Sequence, residues 1–199
     1  MVKYKLKLIK IFIVLILLIT SFQSLTKADD ISDFEIEGIS LGDSALDYFD
    51  INEIIKKKEN GFIYEKKDFF SATFYEKKFF KNYDSVQLHL KKKDNNYIIY
   101  SIGGQMTVEN YQDKCFNKMD EVLSSIKNLF PKAEFLDDGI ADWTSSQNKN
   151  TKVKSYYLKL KSKDEISIQC YDHPKNSEDF KDTLLIALDS AEFVNWLYD

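Results

Sequence analysis

Six stretches of this chain alternate apolar with polar residues at a period of two, and that alternation constrains the fold more than any other feature. Phe70-Ala72-Phe74, Val86-Leu88-Leu90 and Ile98-Tyr100-Ile102 fall in the first half, with Asn95-Asn96 marking a turn before the third. Tyr156-Leu158-Leu160, Ile166-Ile168-Cys170 and Leu184-Ile186-Leu188 fall in the second. Half-buried strands carry this pattern, and short turns between them imply antiparallel meanders. The Gly103-Gly104 pair is expected to end or bulge the third strand.

One stretch has the helical period instead. Tyr111, Cys115, Met119, Val122, Ile126 and Leu129 recur every three or four residues, with Asp, Lys, Asn, Glu and Ser between them, and Pro131 stops the run. Asp43 or Ser44 can cap a brief helix carrying Leu46 and Phe49. Capping-box spacing at Asp50/Glu53 predicts a helix through Ile54 and Ile55. The same spacing at Asp189/Glu192 predicts a terminal helix with Phe193, Trp196 and Leu197. The expected class is α+β, an antiparallel sheet with helices packed on one face. The element order also suggests two helix-helix-strand-strand-strand halves, 34–105 and 110–199, within one domain over 29–199.

Residues 1–28 read as a secretory signal peptide. Lys3, Lys5, Lys7 and Lys10 precede the apolar run Ile11–Ile19, and Thr26-Lys27-Ala28 forms a small-residue cleavage region before Asp29. The run is shorter than the roughly 20 residues that span a bilayer, so no transmembrane segment is expected in the mature chain. The protein is therefore expected to be exported, periplasmic or secreted after cleavage. A retained membrane anchor is the competing reading.

Removing that segment takes five of the 28 lysines and none of the 32 acids, leaving a net charge of −9. Nucleic-acid binding, which depends on clustered cations, is not expected from such a chain. All its cations are lysine, so the planar fork of arginine is missing too.

The stretch Glu37-Gly38-Ile39-Ser40-Leu41-Gly42-Asp43-Ser44, leading into short helices and three strands, resembles the opening of BamE/SmpA-like envelope modules. In that family a helix leads into a Leu-Gly-x-Pro turn, where this chain has Phe49-Asp50-Ile51-Asn52. The resemblance covers residues 34 to about 105 and implies two helices followed by a three-stranded meander. A tandem copy in the second half would resemble the β-lactamase-inhibitor-protein type of fold. The whole chain is also similar to secreted proteins of bacteria with AT-rich genomes, a likeness that implies no activity.

Cys115 and Cys170 both sit at core-facing positions, and an oxidising compartment would join them in a disulfide. His89, between Leu88 and Leu90, is expected to face away from the core as a solvated or stacked imidazole. In Asp137-Asp138-Gly139-Ile140-Ala141-Asp142-Trp143 we read a loop whose three carboxylates could hold a hard cation. Its spacing departs from the EF-hand pattern. Trp143 is a candidate contact residue, since tryptophan is enriched at binding hot spots. Asp172 and His173 form a candidate proton-transfer pair without a motif-spaced nucleophile, and Asp172 and Pro174 alone would set a turn there. No metal-ligand spacing involving histidine or paired cysteines occurs, and no cofactor is implied.

These residues imply a non-catalytic interaction module of the bacterial envelope, with an envelope protein as its partner. Its surface is expected on the sheet face away from the helices and around Trp143, where Tyr75, Tyr97, Tyr157 and Tyr171 would be presented. The alternative is a small-ligand or divalent-cation binding protein, or an enzyme, centred on Asp137, Asp138, Asp142, Asp172 and His173.

Overall fold

The computed structural model describes residues 31, 34–59, 64, 66, 68–75, 80–108, 114–143, 150–174 and 181–199. The expected signal peptide and Tyr111 lie outside them. All six alternating stretches contribute strands: β1 (Phe69–Phe74), β2 (Ser85–Lys91), β3 (Ile99–Thr107), β5 (Lys152–Lys159), β6 (Glu165–Asp172) and β7 (Thr183–Asp189). A register irregularity in β3, however, sends Ile99 rather than Ile98 into the core with Ile102 and sets Tyr100 against Phe69 on the other face. A further strand, β4 (Glu134–Asp142), precedes β5. They make one seven-stranded sheet in the order β1-β2-β3-β7-β6-β5-β4, antiparallel throughout. Each meander is a run of hairpins, and pairing of their last strands, β3 with β7, joins the two.

Period two gives this sheet two chemically distinct faces. Phe70, Ala72, Phe74, Val86, Leu88, Leu90, Ile102, Leu158, Ile166, Ile168, Leu184 and Leu188 all point into one core. The N-terminal segment covers part of it through Ile36 and Ile39, which bridge each other around a turn at Glu37-Gly38. Burial alone would raise the Glu37 pKa. Three backbone N–H groups, from Lys81, Asn82 and Tyr83, donate to its carboxylate and, with the Lys81 charge, hold it below the usual range.

Three α-helices complete the described fold: α1 (Ile51–Glu59), α2 (Phe116–Leu129) and α3 (Ala191–Tyr198). The short turn at Ala45–Asp47 is capped by Ser44, and Asp50 accepts from the Asn52 N–H at the start of α1. α1 packs on β1 and sends Ile54 into the core, while Ile55 stays exposed. α2 buries Met119 and Ile126, and Tyr156 anchors it by donating to Asp120.

The expected sheet with helices packed on one face is corrected by this arrangement. Among the described residues the sheet dominates, with seven strands of six to nine residues against three α-helices. The helices form no layer, since α1 and α2 serve the core face while Phe193 of α3 packs on His89 and Phe69, across the sheet. The expected matching halves are corrected too, because four strands follow α2 and three follow α1. The extra strand escaped detection for a physical reason. β4 is exposed on both faces, so no burial imposes an alternating pattern on it.

Two local readings also change. Gly103 and Gly104 lie within β3, which continues to Thr107. A Cβ at Gly104 would come within 2.5 Å of the Tyr83 ring, and one at Gly103 within 2.8 Å of Leu185, so the pair permits close approach on both faces. At the last helix Ser190 accepts from the Phe193 N–H and is the cap, while Glu192 pairs with Lys91.

Cys115 and Cys170 are bonded and buried, tying the start of α2 to β6. They lie 55 residues apart in sequence. On the chain-entropy argument a loop of that length contributes about 4 kcal/mol. Replacing both cysteines with alanine should lower the urea unfolding midpoint by a corresponding amount, and an unchanged midpoint would contradict the staple.

Candidate functional site

The second face of the sheet has an unusual composition for this chain. Charged residues make up 30% of the sequence. Yet the polar positions pointing away from the core, Ser71, Thr73, Gln87, His89, Ser101, Gln105, Ser155, Tyr157, Ser167, Gln169 and Tyr171, are uncharged. Glu165 and Asp189 are the acids of this face, and Phe69, Val153, Leu185 and Ala187 add apolar surface to it. The lysines of this face, Lys91 and Lys159, stand at strand ends. Ser71, Ser101, Ser155 and Ser167 are buried between larger neighbours, while the glutamines, His89 and the tyrosines are half-buried.

Two side-chain networks run across it. In the first meander the Tyr64 hydroxyl lies 2.5 Å from His89 Nδ1. His89 Nε2 lies 3.1 Å from Gln87 Oε1, and Gln87 Nε2 donates to Thr73 across the strand pair. Since Gln87 Oε1 only accepts, Nε2 of the imidazole carries the proton and Nδ1 accepts from Tyr64. Burial holds this imidazole neutral, with its pKa lowered to about 3. The ring also meets Phe193 edge-on at 4.7 Å, so His89 faces away from the core as expected but is packed among aromatic rings, neither solvated nor stacked face to face.

A parallel network lies in the second meander. Tyr171 donates to Gln169 Oε1, and Gln169 Nε2 donates to Ser155 and to the Tyr157 hydroxyl. Gln87 and Gln169 occupy the middle strands of their meanders, and each bonds a hydroxyl 14 residues earlier.

Between the networks runs a row of directly paired residues: His89, Ser101, Asp189, Glu165 and Lys159. Burial pushes the Asp189 carboxyl up to about 7, Glu165 adds to the rise, and a hydrogen bond with Ser101 opposes it. Burial raises Glu165 as well, against the pull of Lys159. The hydroxyl of Tyr198, at the end of α3, is pushed up by burial and then by Tyr157, Glu165, Asp189 and Asp138. Serine, histidine and aspartate adjoin here without forming a nucleophilic triad, because both imidazole nitrogens are engaged by Tyr64 and Gln87. Away from this row the face offers neutral donors and acceptors together with aromatic edges.

Trp143, Tyr171 and His173 meet at one end of this face. Trp143 packs edge-on against Tyr171 at 5.3 Å, and His173 stacks on Tyr171 at 6.0 Å. The His173 ring also meets Thr151 Oγ1 at 3.0 Å, and burial lowers its pKa against the pull of Asp182 and Asp172. The carboxylates read as one loop are spread along β4. Asp137 accepts from the Gly139 N–H at a bulge, and Asp142 is bonded to Lys152, which also pairs in register with Asp172. No group of three metal-ligating side chains occurs among the described residues. Of the four tyrosines named above, Tyr157 and Tyr171 are on this face. Tyr75 lies just past the end of β1, and Tyr97 packs against the core.

Ser101, Glu165 and Asp189 went unrecognised as site residues. Their signal was the outward position of strands whose polar members are uncharged or lie opposite one another, a pattern visible once the register is known.

Asp189 and His89 oppose one another in acid. The folded protein keeps the Asp189 proton that the unfolded chain releases above about 4, so this residue costs stability as pH rises toward 7. His89 refuses a proton that the unfolded chain takes below about 6.5, so its contribution is lost as pH falls toward 3. Asp189→Asn should therefore raise stability at pH 8 by on the order of 2 kcal/mol, with the gain shrinking toward pH 4. Melting curves at both pH values check this, and a gain independent of pH would contradict it.

Comparison of the chain with protein-family models, curated proteins and solved structures finds no match, so the reading of this face rests on its chemistry.

Proposed function

We propose that this protein is an exported, non-catalytic interaction module that binds an envelope protein through the second face of its sheet. The observation that carries the reading is the composition of that face: serine, glutamine, tyrosine, neutral histidine and a few apolar side chains, with charge confined to Glu165, Asp189 and the strand-end lysines, in a chain otherwise rich in charge. Protein interfaces are depleted of charge at their centre and enriched in aromatic residues, and half-buried Tyr157 and Tyr171 with Trp143 at the rim fit that description. The disulfide suits an oxidising compartment. The resemblance of residues 34–105 to envelope modules points to the same location for the partner.

A photo-cross-linking residue at position 143 or 157, introduced in native cells, should trap the same envelope protein, while one at exposed Ile55 on α1 should not. Trp143→Ala should reduce the cross-link from position 157 and change stability by less than about 1 kcal/mol. A protein that stays a monomer, with no cross-linked neighbour from 143 or 157, would overturn the proposal.

A further inference from the structure

The two edges of the sheet are treated differently. At β1, Phe69, Phe70, Ser71, Ala72 and Phe74 are buried, and α1 packs against the strand. At β4 every residue except Gly139 is exposed, including Leu136 at 55% and Ile140 at 56%. Edge strands are normally short, covered, or defended by lysine, because their unpaired backbone groups accept another strand. β4 is nine residues long, and no described residue pairs with its outer side.

Its hydrogen-bonding direction follows from one contact. The Trp143 N–H donates to the Thr151 carbonyl at 2.7 Å, so Trp143 faces β5. Regular alternation back to Gly139 turns Ala141 and Gly139 toward β5 as well. Ile140 and Asp142 consequently direct their backbone N–H and C=O groups outward.

Charge decides what can pair there. β4 carries Glu134, Asp137, Asp138 and Asp142 and no cation. A second copy of β4 would bring carboxylates against carboxylates, which opposes self-pairing. The strand that β4 does pair with shows the complement: β5 sets Lys152 opposite Asp142, Lys154 opposite Ile140 and Lys159 opposite Glu134.

We propose that the outer edge of β4 receives an extended, lysine-bearing segment of the partner protein as an added strand. Backbone bonds to Ile140 and Asp142 hold the segment, the carboxylates select its lysines, and Leu136 and Ile140 pack its apolar side chains on opposite faces. This inference deepens the proposed function and rests on its reading of the partner as a protein.

The test uses the purified protein and a fluorescent, end-capped peptide with the sequence of β5, Lys-Val-Lys-Ser-Tyr-Tyr-Leu-Lys. Saturable binding is expected by anisotropy, weakening about tenfold or more between about 0.05 M and 0.5 M salt. Bound peptide should slow hydrogen exchange at the Ile140 and Asp142 amides. Ile140→Pro removes an outward N–H without breaking the ladder to β5, and should weaken binding about tenfold or more, whereas Ile140→Ala retains most of it. Asp138→Lys, at an exposed bulge position, should weaken it about threefold or more without affecting folding. Absence of saturable binding, or binding with the two amides unprotected, would overturn the inference. If cross-linking through positions 143 and 157 succeeds while the peptide fails, the edge alone is wrong. If those cross-links fail, the proposed function is wrong whatever the peptide does.

Discussion

Backbone pairing between β3 and β7 is the interaction on which the rest of this structure depends. It aligns seven residues of each strand, from Ser101 opposite Asp189 to Thr107 opposite Thr183. Without it the chain would be two small meanders, each with an open edge and half a core. With it, Ile102 and Leu188 become neighbours at the centre of one apolar face. The two glycines of β3 admit Tyr83 on one side and Leu185 on the other. Pairing so distant in sequence is entropically slow to form, and the Cys115–Cys170 bond eases part of that cost by tying α2 to β6.

The same seam creates the second face. Ser101 and Asp189 are partners across it, so the row that contains His89, Asp189 and Glu165 exists only when the meanders are joined. Apolar packing makes the first face self-sufficient. The second is satisfied internally by glutamine, tyrosine and serine bonds and leaves half-buried aromatic edges available. Such a surface costs little to desolvate compared with a lysine-covered one, which is the physical basis for reading it as a contact surface.

How much of this was legible in the sequence depended on burial. Strands with one buried face announced themselves by alternation, as at Val86-Leu88-Leu90 and Ile166-Ile168-Cys170. The stripe of α2 and the cysteine pair were legible for the same reason, since Cys115, Met119, Ile126 and Cys170 are buried in one core, while Leu129 at the end of the stripe is exposed. β4 was read as a loop because neither of its faces is buried, and its carboxylates then looked like a cation cluster. The expected helical layer failed because α1 buries only Ile54 and α3 belongs to the other face.

The candidate site was legible in outline. Tyr157 and Tyr171 lie on the outward face that strand parity predicts, whereas Trp143, expected in a loop, reaches this face just past β4. Tyr75 and Tyr97 were not placed correctly, because parity fails beyond a strand end and at a turn where Tyr97 has a φ of 51°. Asp189 was mistaken for a cap because capping spacing recurs by chance, and its burial depends on pairing that no local window contains.

The most direct test of this account is native-state hydrogen exchange along the β3–β7 seam. If one cooperative sheet carries both faces, the amides of Ile102, Gly104, Ile186 and Leu188 should exchange only through global unfolding, with the slowest rates in the protein. Seam amides exchanging faster than those of β5 and β6 would mean that the halves open independently, and the shared face would then be no unit at all.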